Sequence, residues 1–404
     1  MNLGKGSAGQ ELGHLTYSTL VHQTDNWDQL WASVNNYLPK VKARVAPHEK
    51  FGVCLRTSAP SIEMLSTDAT KVAALKQFFL DQDLYLYTAN AFVYGVFKKQ
   101  VIKEDVYEPD WATPERREYT KKVANLLAEL APEGVNPSIQ SAPLGFKPKG
   151  TGPDIARVYT DNIVDVVAHL VKLEKDTGKV VTLGLEPEPR CFLETTDETI
   201  TYFQDYLFAP QVAEQLAKKA GIHAADAAAA MKKFMGVVFD IGHQSVGYED
   251  IPASLHKLVA AGVQIVKLQE AASMYIPDVT QQKVDALQEF AKTIYLSQTC
   301  QLKDGTQTWF LNLEDAFEDW QKNPGPREWR THFHVPVFLT ELGHGFGTTR
   351  FGLEQALAVH KQTPLSTHLE IETYTWDVLP DHLKTGDIVE YVTREIDWVK
   401  GQLV

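Results

Sequence analysis

Four apolar runs in this chain end in side chains able to bind a cation or move a proton. VVTLGLE (180–186) ends in Glu186, MGVVFD (235–240) in Asp240 and VQIVKLQ (263–269) in Gln269, while HLEIETY (368–374) carries Glu372. In an extended chain, alternate residues face opposite ways. Val181, Leu183 and Leu185 then share one face and Thr182, Gly184 and Glu186 the other, with Gly236, Val238 and Asp240 set against Val237 and Phe239. Glu370 and Glu372 oppose Leu369 and Ile371 in the same way, and Lys267 shares the face of Gln269. Three carboxylates and an amide brought to one rim repel unless protons or a cation neutralise them. An oxygen-rich set of this kind suits one divalent ion (Zn, Mn or Mg) held by Glu186, Asp240, Gln269 and Glu372. A single acidic residue at a strand end is more often a helix cap or surface group, so the weight lies on all four together.

Histidines add to this set. His243 follows Asp240 by three residues and is placed to act as a ligand, a substrate contact or a hydrogen-bond donor behind the site. His332 and His334 alternate to one face of HFHVPVFL, where packing among aromatics competes with a reach into the site, and His334 is the stronger candidate. Further polar residues near strand ends are candidates for binding substrate hydroxyls: His22, Arg56, Asn90 and Gln140, together with Lys267, for which Glu370 is the expected partner. Glu188, between prolines that break strand geometry, reads as an outer-face or loop carboxylate. The segment from Asn90 to Phe97 is apolar and aromatic enough to wall such a site or to sit in the core.

The elements that must position these groups are legible from periodicity. Eight strand-like runs lie at 14–19, 51–56, 84–89, 137–142, 180–186, 235–240, 263–269 and 368–374. Stretches with apolar residues at helical spacing separate them, such as 121–130 and 162–173. Thr195 with Glu198 three residues on forms a capping-box pattern opening a helix. Pro252 sits at a first helical turn, and Gly262 ends that helix. Eight strands with intervening helices favour a closed (β/α)8 TIM barrel over a doubly wound open sheet, and barrels of this kind carry their active sites at the carboxyl ends of the strands. About a hundred residues separate the last two strands, far more than the usual short loop and helix. The expectation is a single TIM-barrel domain spanning 1–404, with residues 271–367 inserted on its rim. That segment holds a helix over 281–295, an aromatic stretch TWFLNLEDAFEDW and an extra strand at HFHVPVF.

The bulk numbers narrow the function. The chain has 404 residues and a formal net charge of −13, with no basic cluster able to follow a phosphate backbone, so nucleic acid is not an expected partner. Cys54, Cys191 and Cys300 are odd in number and far apart, which points to a reducing compartment and away from a disulfide framework. The start, MNLGKGSAGQELGH, has no apolar signal region, and no run reaches the ~18 apolar residues of a membrane span. A cytoplasmic protein with a small-molecule metabolite is expected, its oligomeric state open.

The order Glu186, Asp240-x-x-His243, Gln269, Glu372 resembles that of the xylose-isomerase-like barrels, whose sugar epimerases carry Glu, Asp, His and Glu at the ends of strands five to eight. The chain departs at the third position, where Gln269 stands in place of histidine. A longer resemblance covers residues 13–380. GHLTYST, FGVCLR, LYLYTANAFVYG, LEPEP, CFLETTDET, THFHVPVF and ETYTWDVLP are similar to the EboE-type metabolite traffic proteins of the same superfamily. The resemblance to the sugar epimerases implies a metal-dependent isomerase or epimerase, with Glu186 and Glu372 as base and acid, and His243 is expected to orient a substrate oxygen; the EboE-type resemblance does not name a chemical step. The alternative is a binding or traffic protein using the same pocket without turnover, which Gln269 and an apolar rim favour. A nuclease of the endonuclease-IV kind shares the fold, but the acidic balance argues against it.

Overall fold

The apolar runs become strands of one parallel sheet in the computed structural model, which describes residues 1–6, 8–291 and 293–404. These strands are β1 (His14–Tyr17), β2 (Phe51–Arg56), β3 (Leu84–Asn90), β4 (Ser138–Ser141), β5 (Thr182–Leu185), β6 (Met235–Asp240) and β7 (Gln264–Glu270). Next in the chain come β8 (Ala272–Ile276), β9 (Thr299–Lys303), β10 (Thr306–Phe310), β11 (Glu328–Val335) and β12 (Gly347–Thr348), and last β13 (His368–Ile371). The first seven and β13 pair in the order β1-β13-β7-β6-β5-β4-β3-β2, every neighbour parallel. A parallel bridge from Ser18 to Cys54 joins the two edge strands, and the sheet curls into a barrel. At least one helix follows each strand before the next, so the topology is that of a (β/α)8 TIM barrel. All eight expected strands form, each within two or three residues of its expected ends.

Burial explains why these segments hold. In the barrel strands only the leading residues His14, Thr182 and Gln264 are less than fully buried, as expected of strands covered on both faces. The helices are amphipathic, and several start on side-chain caps. Asn26, Ser58, Thr113, Asp250 and Asp387 each accept a backbone N–H of the first turn. Thr195 and Glu198 make the expected reciprocal capping box. Gly184 lies where the barrel interior is tight, since a Cβ there would fall 2.4 Å from Val266 Cγ2 and 2.7 Å from Val238 Cγ2. The β6–β7 pairing shifts register between Val237 and Val238, which pair with Ile265 and Lys267. Val266 is the extra residue of that bulge. It faces the interior at Gly184, and after it Lys267 and Gln269 also face inward.

The segment between β7 and β13 forms a second, antiparallel sheet in the order β10-β9-β11-β8-β12. The expected extra strand is β11, which begins at Glu328 and stops before Pro336. The aromatic stretch divides into β10 and a helix (Leu313–Lys322), and the expected helix over 281–295 ends at Ala291. The three cysteines are buried and free. Among the described residues, no helix is long and apolar enough to cross a membrane.

Candidate active site

Glu186, Asp240, Gln269 and Glu372 meet at the carboxyl ends of β5, β6, β7 and β13, all buried. Gln269 is the hub. Its Nε2 lies 3.0 Å from Glu186 Oε1, 2.8 Å from Asp240 Oδ2 and 2.7 Å from Glu372 Oε2. An amide nitrogen carries two hydrogens and so cannot serve three carboxylates at once. The amide carbonyl, Gln269 Oε1, is buried with no partner.

Each carboxylate is steadied from outside the cluster. Gln140 Nε2 donates to Glu186 Oε2 at 2.6 Å, and Gln140 Oε1 accepts from Lys267 Nζ at 2.8 Å. Lys267 is itself paired with Glu370 one layer deeper in the barrel. Asn90 Nδ2 donates to Glu372 Oε1 at 2.6 Å, and the His243 backbone N–H donates to Asp240 Oδ1 at 2.9 Å. Desolvation pushes the Glu186 carboxyl well above the usual range, reinforced by Glu372, Asp240 and Glu188. Burial does the same to Glu372, with Glu370 and Asp240 adding to it. Buried carboxylates so close together need a shared proton or a counter-ion.

The histidines converge from two sheets. His243 stands in the short helix after β6, while His332 and His334 descend from β11. His243 Nε2 and His332 Nε2 are 3.1 Å apart. His334 donates from Nδ1 to the Glu372 carbonyl at 2.6 Å, leaving its Nε2 buried, unpartnered and 4.0 Å from Asp240 Oδ2. Burial lowers the His243 pKa to about 4 and takes that of His332 well below its ordinary value. Glu186, Asp240 and His243, like Asp240, His334 and Glu372, offer ligand atoms within 4.8 Å of one another. Hard carboxylate oxygens with imidazole nitrogens beside them form a donor set that fits a divalent cation. Turning the Gln269 amide over would present its orphaned oxygen to such an ion.

Above the cluster the mouth is apolar. Phe92, Phe97, Ile102, Tyr295, Leu296 and Tyr374 line it, and Glu186, Glu372, His243 and His332 form its floor. The segment from Asn90 to Phe97 thus serves as a wall of the mouth. Glu188, expected as an outer-face or loop carboxylate, does lie beyond the strand, but it is buried in the mouth and accepts from Tyr107 Oη at 2.8 Å. Desolvation raises its pKa to about 8.

His22 and Arg56 are not brought to the mouth. His22 stacks on Tyr37 at a ring-centroid distance of 4.0 Å and bonds Tyr17 Oη, and Arg56 forms a buried ion pair with Asp25 at 2.9 Å. Lys267 and Asn90 act on the floor through Gln140 and Glu372 instead of facing the mouth. Sequence reasoning missed Tyr107 and Tyr374, which lie in short 3-10 turns, and Gln298, just before β9.

No protein-family model and no curated protein matches the chain. Among solved structures it is similar to a zinc-bound IOLI protein (14% identity, 97% of this chain and 99% of that one, TM-score 0.49). It is also similar to a xylose isomerase-like TIM barrel protein from Mycobacterium smegmatis in complex with magnesium (9%, 97% and 96%, 0.48). A third is a xylose isomerase domain protein from Planctomyces limnophilus (13%, 90% and 90%, 0.47). The class of this protein rests on its own strand order and site: a (β/α)8 barrel with a buried His/Asp/Glu cluster at the strand ends.

Proposed function

We propose that the chain is a divalent-metal-dependent isomerase or epimerase acting on a small polyol, sugar-like or prenyl-derived metabolite, as an EboE-type member of the xylose-isomerase-like barrels. The observation that carries this reading is the placement of Glu186 and Glu372 on opposite sides of Gln269, each within hydrogen-bond distance of the same amide nitrogen. Two carboxyls facing one another across a narrow floor can serve the two sides of one carbon. One takes the proton next to a carbonyl and the other returns it, which is the requirement for inverting a centre or moving a carbonyl along a chain. Burial raises both carboxyls above the ordinary range, so each can hold a proton to give as an acid must.

Glu186, Asp240, Glu372 and a turned Gln269 would hold the ion. When bound, a divalent cation polarises a carbonyl or hydroxyl oxygen of the substrate. Asn90 and Gln140 keep Glu372 and Glu186 aimed at the floor, and the aromatic mouth excludes water from the reacting end. An apolar mouth over a polar floor suits a metabolite with an oxygenated head and an apolar body, which supports the prenyl-derived member of the substrate class.

The test is solvent-deuterium wash-in next to the carbonyl of simple α-hydroxyketones, one series with alkyl tails and one without, followed by NMR with Mn-loaded protein. Exchange that falls by about 10²–10⁴-fold in Glu186→Gln and in Glu372→Gln is expected for a base and an acid. Saturable binding of the tailed compounds with no exchange in the wild type overturns the enzymatic reading in favour of a non-catalytic carrier.

A further inference from the structure

Among the described residues Val101 is the most exposed large apolar side chain, at 71%, and Val96 five residues earlier is 42% exposed. A single exposed valine needs no explanation, but the setting of these two does. Both stand on the loop that follows β3, where their neighbours Phe97 and Ile102 turn inward and line the apolar mouth. Lys99 and Lys103 have left-handed backbones, with φ of 64° and 46°, a region that non-glycine residues adopt rarely. The chain thus bends sharply on either side of Gln100–Ile102, with Ile102 buried and Val101 left outside. One short stretch presents an apolar inner side to the mouth and an apolar outer side to solvent.

The charge of this stretch runs against that of the chain. Residues 96–103, VFKKQVIK, hold three lysines and no acid in a protein of net charge −13. Lys98 is buried and spent inside the fold, 3.3 Å from Asp377 Oδ2 and donating to the Tyr374 carbonyl at 2.8 Å. Lys103 meets only the neutral side chain of Asn312, at 3.2 Å, and Lys99 is exposed. Glu104 and Asp105, exposed just beyond, oppose these two cations. Exposed apolar side chains interleaved with lysines suit the interface of an anionic bilayer, where the valines enter the headgroup region and the ammonium groups meet lipid phosphates. A protein partner would also cover the valines, but the continuity of the patch with an apolar mouth favours lipid. A lipophilic ligand lying in such a surface reaches the mouth past Val101, Ile102 and Phe97 without crossing water.

We propose that the rim formed by Val96–Lys103 docks on an anionic lipid surface and turns the mouth toward the bilayer. The docking is peripheral. No helix among the described residues is long and apolar enough to cross a membrane, and two valines with two lysines make a weak, reversible contact. The proposal goes beyond the isomerase reading, since it needs the apolar mouth and no turnover.

Sedimentation of the full chain with vesicles tests it, comparing equimolar phosphatidylcholine and phosphatidylglycerol with phosphatidylcholine alone. The expected result is binding to the anionic vesicles that weakens with salt, falls about fivefold in Lys99→Gln and is lost in Val101→Asp. Glu104→Gln with Asp105→Asn should tighten it. Circular dichroism checks that each variant is folded. The face that docks is read from an environment-sensitive fluorophore on Val101→Cys, the three native cysteines being buried. Its control is the same label on Val259→Cys, 55% exposed at the end of the helix (Ile251–Ala260) that leads into β7, on the side of the barrel away from the mouth. Only the label at position 101 should brighten with anionic vesicles. No binding, equal brightening at both positions, or binding that survives in folded Val101→Asp overturns the proposal. Brightening at position 101 that rises with protein concentration without vesicles assigns the patch to a second copy of the chain and overturns it too. Loss of proton exchange in the wild type counts against the isomerase reading alone.

Discussion

Asn90 Nδ2 lies 2.6 Å from Glu372 Oε1, joining the end of β3 to the end of β13 across the barrel. Removing this donor leaves a buried carboxyl oxygen without its partner, which costs about 1–3 kcal/mol. Asn90→Ala is expected to lose that much in urea unfolding of the metal-free protein, with a weakened grip on Mn(II). Unchanged unfolding would mean that Glu372 finds another donor.

Arg56 and Asp25 form a buried pair that does not itself line the mouth but backs its wall, since Asp25 Oδ1 also accepts the Phe97 N–H at 2.9 Å. Breaking a buried pair by removing one partner costs about 3–5 kcal/mol, because the other charge is left stranded. Asp25→Ala should therefore lower stability by that amount while metal stoichiometry stays the same. A loss of bound metal in the folded variant would show that the pair also supports the floor.

Lys267 links the interior pair with Glu370 to Gln140 and so to Glu186. Lys267→Met should be destabilising by roughly 3–5 kcal/mol through the stranded Glu370. The double variant Lys267→Met/Glu370→Gln should recover most of that loss in thermal unfolding. Activity should stay depressed in the double variant, since Gln140 still lacks the ammonium that holds it. Full recovery of turnover would show that Lys267 only balances charge.

Glu395, on the last helix (Ile388–Leu403), is buried at the end of the chain, and desolvation raises its pKa to about 8. The folded chain then keeps a proton that the unfolded chain releases near the ordinary carboxyl value of 4.5. Stability must fall as pH rises from about 4.5 to about 8, by up to tenfold in the folding equilibrium per pH unit. Both of its hydrogen bonds, from Thr373 Oγ1 and the Val337 N–H, arrive at Oε1. Glu395→Gln keeps that oxygen, so it should flatten the decline and stabilise the protein at pH 8. A steeper decline in the variant would contradict the assignment.

The barrel and its floor were legible because their signals are local. Strand alternation put Glu186 and Asp240 on the inner face, and the Thr195–Glu198 pair announced its helix from four residues. Gln269 came out on the correct face, although the periodicity of β7 does not explain the outcome. The bulge at Val266 decides which residues face inward, and a bulge leaves no mark in the apolar pattern. Glu188 lies in the loop that its prolines announced, but its burial in the mouth left no mark in the sequence. Tyr107, Gln298 and Tyr374 reach the mouth through long-range packing. The convergence of His332 with His243 depends on how one sheet lies over another, which no spacing along the chain encodes.

His243 and His332 are 89 positions apart, one held by the barrel and the other by the antiparallel sheet. The floor can therefore be complete while the roof is still unmade. A form with the barrel closed and the antiparallel sheet undocked would leave the carboxyl cluster and His243 open to water, and to whatever ions water carries, with His332 and His334 absent. Any later fluctuation that lifts β11 alone would reopen the chamber without loosening the barrel, so exchange of its contents with solvent would be timed by the docking of one sheet and not by global unfolding.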